Sequence, residues 1–122
     1  MGSSGGGRFS AYQVERAGTM GNGEQSDCPL KIENISLEDV AISEYYLHHD
    51  SVPVIGEAVE LSIKLINKRL VVVLSDTQEV IGNMPVLYNM LFLCIKKGYK
   101  YSGTIKGSGL VPIPYVVVNL YA

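Results

Sequence analysis

The residues of this chain that could do chemistry are mainly tyrosines and lysines. The sequence has eight tyrosines, two phenylalanines and no tryptophan. A tyrosine offers a flat face on which a nucleic-acid base can stack, and its hydroxyl can bond a phosphate or a sugar. Tyr45 and Tyr46 are adjacent, and Tyr99, Lys100 and Tyr101 alternate. We interpret the second group, with the lysines around it, as the one basic and aromatic patch, although ordinary strand aromatics have the same pattern.

Other reactive residues do not form a recognisable catalytic or metal-binding set. His48, His49 and Asp50 are consecutive, and adjacent side chains of an extended chain point in opposite directions, so we expect a surface loop. The sequence has no further histidine, so a zinc site lacks ligands. Cys28 and Cys94 lie far apart in different contexts, which predicts two free thiols and a reducing compartment. We predict neither an enzyme nor a cofactor.

Length and composition indicate one ordinary globular domain. A chain of 122 residues has room for one core, and 47% hydrophobic residues suffice to build it. No apolar run approaches the roughly 18 residues that span a bilayer, and no signal peptide is recognisable. We therefore expect a soluble, cytoplasmic protein without a membrane partner. The net charge is -2, but residues 51–122 hold seven Lys and Arg against four Asp and Glu. This weak basic surplus suits either solvated loop ends or nucleic acid.

Glycine and serine content divides the chain into a leader and a domain. Residues 1–29 are predicted to be a flexible leader, and residues 1–4 resemble the remnant of an expression tag. Residues 8–17 contain a few apolar positions and are left unassigned. Residues 30–122 are predicted to form the folded domain.

Short apolar runs separated by turn residues predict a mainly β domain with one helix. Residues 57–65 alternate apolar and polar, which predicts a strand with Val59, Leu61, Ile63 and Leu65 on its buried face. Residues 70–74 are all apolar, as in a central strand covered on both faces. We predict further strands near residues 30–33, 39–46, 80–82, 99–105 and 115–120, and a flexible bend at residues 107–109. This element order is typical of a small barrel with one covering helix.

The predicted helix runs from an Asn83 N-cap to about Lys97 and ends at Gly98. Its apolar arc is wider than one buried face requires. We expect the core stripe to consist of Leu87, Met90, Leu91, Cys94 and Ile95. Outside that stripe lie Val86, Phe92 and Leu93, which the leader or a partner subunit would have to cover.

The segment from Val40 to Leu120 resembles a HIRAN domain, a small OB-like barrel that occurs with helicases and nucleases and as a stand-alone protein. The resemblance rests on the order of five features: Tyr45-Tyr46, the strand that begins at Gly56-Glu57, the run Leu70-Val71-Val72-Val73, the stretch Ile81-Gly82-Asn83-Met84-Pro85, and Gly98 followed by the strand from Tyr101 to Ile105. The family's Asn-Pro-Tyr-Asp type segment is absent. Ile66-Asn67-Lys68-Arg69 stands in its place.

The resemblance implies binding of single-stranded DNA or DNA ends, in partnership with a helicase, a nuclease or another DNA-processing protein. Tyr45, and with less support Tyr46, would stack on a base. Lys68 and Arg69 would contact phosphates, which gives affinity without sequence preference, and Lys97 and Lys100 extend the basic set. The alternative is a protein-interaction or structural subunit that keeps the barrel without binding DNA. In that case Val86, Phe92 and Leu93 would form the contact, including one between two copies of the chain.

Overall fold

The computed structural model describes residues 28–122. The predictions for a tag remnant, a flexible leader and the unassigned stretch 8–17 therefore fall outside the described residues, apart from the last two leader positions. Within the described part, no helix is long and apolar enough to cross a membrane.

Within residues 28–122, six antiparallel strands form one sheet, which confirms the prediction of a mainly β domain. The strands are β1 (Lys31–Ser36), β2 (Ala58–Ile66), β3 (Arg69–Leu74), β4 (Val80–Asn83), β5 (Ser102–Gly109) and β6 (Tyr115–Tyr121). The helices are α1 (Glu44–His49), α2 (Leu91–Lys96) and two 3-10 helices, Val40–Ile42 and Val86–Tyr88. The spatial order of the strands is β1-β6-β5-β2-β3-β4.

The two edges of the sheet meet, so the sheet closes in the manner of a small barrel. Past the end of β1, Leu37 N–H donates to Val116 O on β6 at 3.0 Å. The next residue, Glu38, bridges to Asn83 at the end of β4 through two backbone hydrogen bonds of 2.8 Å each. One continuous stretch of chain therefore joins both edges.

The core lies inside this closed sheet, and β3 is its centre. All five residues from Leu70 to Leu74 are buried, as the continuous apolar run predicted. The prediction for β2 is half right. Val59 and Leu61 are buried, whereas Ile63 is 64% exposed and Leu65 is 40% exposed. The register with β3 shifts between Leu61 and Leu65, and β2 pairs with β5 only over Ala58–Glu60. The second half of β2 thus projects beyond the core.

The strand expected over residues 39–46 is wrong, because this segment is helical. Ser43 is the N-cap of α1: its hydroxyl accepts from Tyr46 N–H at 3.3 Å and donates to Val40 O at 2.7 Å. Serine favours this role because its short side chain reaches the free amides of the first turn. His48 and His49 consequently end a helix and do not lie in an extended loop.

The long helix predicted from Asn83 to Lys97 is also wrong in its extent. Asn83 is the last residue of β4 and pairs with Glu38, so it caps no helix. Between Asn83 and Lys97, the helical residues are the 3-10 helix Val86–Tyr88 and α2. Lys97 is the C-cap of α2. Gly98 does end the segment with a left-handed φ of 105°, as predicted.

The two cysteines are not free thiols, because Cys28 and Cys94 form a disulfide. The bond joins the start of the described chain to α2. Disulfides persist mainly in oxidising compartments, so the cysteines no longer support the expectation of a reducing one.

The bend expected at residues 107–109 lies instead in the loop between β5 and β6. Gly107 and Gly109 pair within the β5–β6 ladder opposite Val117 and Tyr115. Another glycine of β5 is required by close approach: a Cβ at Gly103 would lie 1.8 Å from Asn119 O. Glycine here lets the two backbones pass where no side chain fits.

Candidate functional site

A groove of about 660 Å³ lies between the projecting half of β2 and the chain that leads from α2 into β5. We call it the Lys64–Lys100 groove. From β2 and the β3–β4 turn its walls receive Glu60, Leu61, Ser62, Ile63, Lys64 and Gln78. From the opposite side they receive Ile95, Tyr99, Lys100, Tyr101 and Ser102.

One strand edge forms the open side of this groove. Leu61 N–H donates to Tyr101 O at 2.9 Å, and no pairing of β2 with β5 continues past this point in the described chain. On this side, residues 62–64 of β2 therefore lie without a neighbouring strand in the described chain, and Lys64 N–H donates to the Ser62 hydroxyl at 3.1 Å. Such an edge can accept an extended ligand.

Two tyrosine rings form the aromatic part of the groove. Tyr101 is buried, and its hydroxyl donates to Pro29 O at 2.9 Å. Burial, with a smaller effect of the neighbouring Tyr99, raises the pKa of Tyr101 to about 12. Tyr99 is half-buried and stacks on Tyr101 with a centroid distance of 6.4 Å and an interplanar angle of 15°. Tyr101 thus fixes the orientation of Tyr99, the more accessible ring.

The charges that line the groove are Lys64, Lys100 and Glu60. Both lysines are exposed and take part in no salt bridge within the described residues. The lining therefore has one net positive charge, and its ammonium groups are available to a ligand. Lys100 is the member of the predicted nucleic-acid set that the structure places here.

The structure does not place Tyr45 and Tyr46 in this groove. Both lie on α1, and Tyr45 packs against the core with its ring centroid 4.2 Å from that of His49. Burial raises the pKa of Tyr45, and the negative charges of Glu57 and Glu79 raise it further. An acidic environment of this kind disfavours a phosphate backbone beside the ring.

Lys68 and Arg69 are adjacent in sequence but have different surroundings. Asn67 and Lys68 form a two-residue turn with φ values of 53° and 63°, which exposes the Lys68 side chain. Arg69 Nη2 donates to Glu38 Oε1 at 2.6 Å and to Met84 O at 2.7 Å. Arg69 thus stabilises the seam where the barrel closes through Nη2, whereas its buried Nε has no hydrogen-bond partner among the described residues.

The interface predicted at Val86, Phe92 and Leu93 is only partly exposed. Val86 and Leu93 are exposed, as expected, but Phe92 is half-buried against the core, with Lys96 Nζ 5.2 Å from its ring. Leu87 and Met90, expected in the core, are 69% and 50% exposed. Residues 86–88 form a 3-10 helix, whose period differs from that of an α-helix, so these positions do not follow the apolar stripe expected of one continuous α-helix. Lys97, at the C-cap, is exposed and outside the groove lining.

The two histidines converge on one carboxylate. His48 Nδ1 lies 2.8 Å from Glu79 Oε2, and His49 Nε2 lies 3.2 Å from both carboxylate oxygens. The hydrogen bond with His48 is the largest of the effects that lower the pKa of Glu79. Among residues 28–122 no group of three metal-ligating side chains is arranged to hold an ion. The cluster is a clamp between α1 and the β3–β4 turn.

Sequence reasoning missed Lys64 as a member of the site. Its signal was present, because Lys64 lies in the polar phase of the alternating strand β2. What the sequence did not reveal is that β5 stops pairing early and leaves an opening beside this lysine.

Comparisons of the chain with protein-family models, with curated proteins and with solved structures find no match. The chemistry of the Lys64–Lys100 groove is therefore the basis on which a function can be inferred.

Proposed function

We propose that this domain is a non-catalytic module that binds single-stranded nucleic acid in the Lys64–Lys100 groove. The observation that carries the proposal is that an aromatic face and two exposed lysines line one open groove. Stacking on an aromatic ring and neutralisation of phosphates are the two contributions that sequence-tolerant single-strand binding uses. A module of this kind fits beside a helicase, a nuclease or another DNA-processing protein.

The likeness to HIRAN domains supports the same proposal. The resemblance implies a small OB-like barrel, and the described sheet has a barrel-like arrangement. The residues proposed for binding are different, however. Tyr99 replaces Tyr45 as the stacking ring, and Lys64 with Lys100 replaces Lys68 with Arg69 as the phosphate contacts, because Arg69 is engaged by Glu38.

Fluorescence anisotropy with a short single-stranded oligonucleotide tests the proposal. We expect Tyr99→Ala to weaken binding by roughly 1–3 kcal/mol, the usual contribution of one stacked base. The pair Lys64→Glu and Lys100→Glu should abolish binding at moderate salt, since it places repulsive charges along the path of the phosphates. Lys97→Glu is the matched control, because it makes the same charge change outside the groove.

The proposal is contradicted if the full chain binds no oligonucleotide at low salt. It is also contradicted if Lys97→Glu weakens binding as much as each groove substitution does, because binding would then depend only on overall charge. A loss caused by Tyr45→Ala but not by Tyr99→Ala would move the site to α1.

A second candidate function is self-association through the exposed apolar side chains of residues 86–93. These side chains are Val86, Leu87, Met90 and Leu93. An isologous contact would bury the same patch on both copies. Sedimentation should then show a dimer that Leu93→Asp dissociates, and a chain that remains monomeric at high concentration would remove this candidate.

A further inference from the structure

A second groove, of about 560 Å³, lies on another part of the barrel. We call it the Ile42–Leu47 groove. The 3-10 helix and α1 supply Asp39, Ile42, Ser43, Glu44, Leu47 and His48. The end of β2, its turn, β3 and β4 supply Ile66, Asn67, Val71, Val80, Gly82 and Asn83.

Apolar side chains converge on this groove although water reaches them. Ile42 and Leu47 are each 70% exposed, and Ile66 on the opposite wall is 46% exposed. Val71 and Gly82 beneath them are buried. Scattered exposed apolar residues are ordinary on a protein surface, but a concave group of them is typical of a place where an apolar group binds.

Hydrogen bonds hold the walls in place. Val80 N–H donates to Glu44 Oε1 at 3.0 Å, which ties the start of α1 to β4. At the other end of α1, His48 bonds Glu79 at 2.8 Å. Asn83 Nδ2 donates to Asp39 Oδ2 at 2.7 Å. The groove is therefore preorganised, which lowers the entropic cost of filling it.

The charge of the lining opposes that of the first groove. Its charged carboxylates are Asp39 and Glu44, and none of the lysines and arginines of residues 28–122 lines it. Of the nearby cations, Arg69 is paired with Glu38, and Lys68 is exposed on the β2–β3 turn and is not part of the lining. An acidic rim repels phosphates and favours a cationic ligand.

We infer that the Ile42–Leu47 groove binds a polypeptide segment of another protein in which leucine-like side chains are flanked by lysine or arginine. The apolar side chains would fill the groove between Leu47 and Ile66, and the flanking cations would lie beside Asp39 and Glu44. This site goes beyond the nucleic-acid function proposed above and shares no lining residue with it.

Amide chemical-shift titration of the full chain tests the inference with two probe peptides, acetyl-Lys-Leu-Leu-Lys-amide and acetyl-Glu-Leu-Leu-Glu-amide. The lysine peptide should produce saturable shifts at Ile42, Leu47, Ile66 and Val80. The glutamate peptide should bind about tenfold more weakly or not at all, because two modest surface charge contacts become repulsive.

Leu47→Lys should weaken binding of the lysine peptide, since it removes an apolar contact and adds a like charge. Leu30→Lys makes the same change outside the groove, at a leucine that is 69% exposed against 70% for Leu47, and should leave binding unchanged. Equal binding of both peptides, shifts centred on α2, or no saturable shift would each overturn the inference. Loss of oligonucleotide binding in Tyr99→Ala leaves this titration unaffected, so the two proposals fail separately.

Discussion

The two grooves differ in almost every property although the same strand contributes to both. The second half of β2 gives Lys64 to one groove and Ile66 to the other. The Lys64–Lys100 groove has an aromatic wall, two exposed lysines and an open strand edge. The Ile42–Leu47 groove has aliphatic walls, two carboxylates and a helix fixed at both ends. The net charge of -2 is thus a poor guide to binding, because the charges are sorted between two local surfaces.

Covalent support is the largest difference between the grooves. The disulfide anchors α2, which contributes Ile95 to the Lys64–Lys100 groove, whereas hydrogen bonds and the packing of Tyr45 hold α1. Replacing Cys28 and Cys94 by alanine should lower the free energy of unfolding by about 2–4 kcal/mol, since a long closed loop is released. Urea denaturation measures this change.

The same variant should weaken oligonucleotide binding and leave the lysine-peptide titration nearly unchanged. Intact mass with and without a reductant checks that the bond is present in the parent chain. Two free thiols in the oxidised protein would contradict this difference between the grooves.

Arg69 lies beside the Ile42–Leu47 groove. Substituting it tests whether basic residues outside the Lys64–Lys100 groove bind phosphates. Arg69→Met removes charge-assisted bonds to Glu38 and Met84 O, so we expect unfolding to become easier by about 1.5–3 kcal/mol. Oligonucleotide affinity at a temperature where the variant is folded should not change. Lys68→Met is the control, because it removes the same charge from the exposed turn. A loss of affinity in the folded Arg69 variant, without loss of stability, would return Arg69 to the binding set.

The histidine clamp, which holds α1 at the side of the Ile42–Leu47 groove, should give the smallest effect on stability. The pKa of Glu79 is lowered in the folded state, so its ionised form stabilises the protein at neutral pH. This contribution begins to fade below the ordinary glutamate pKa of about 4.3 and is absent below the lowered folded value. Glu79→Gln should therefore destabilise the protein less than Arg69→Met does, and only above that pH.

Thermal unfolding followed across this pH range measures the Glu79 effect. Asp76→Asn removes the same charge from an exposed position in the same turn and should show no such dependence. Identical pH profiles for the two variants would show that the clamp contributes nothing.

Patterns of burial could be predicted from sequence more reliably than contacts between distant segments. The run Leu70–Leu74 gave the central strand because every residue there is apolar. The alternation of apolar and polar residues located β2 in the sequence. It could not reveal that the pairing of β2 with β5 ends at Glu60. Ser43 is the N-cap of α1 in the structure, but the apolar residues on both sides of it favoured a strand in the sequence. The disulfide and the Arg69–Glu38 pair depend on tertiary approach, which local sequence does not encode.

The unpaired edge of β2 has a consequence for solubility. Exposed Ile63, Leu65 and Ile66 lie on a strand that ends its pairing with β5 early, which is the kind of edge that recruits another chain and aggregates. Lys64 interrupts this apolar stretch with a charge that opposes pairing with another chain. A buried or neutralised lysine would not have this effect. The residue proposed to hold a phosphate is therefore also a gatekeeper, and reversing its charge preserves that protection where an apolar replacement would remove it.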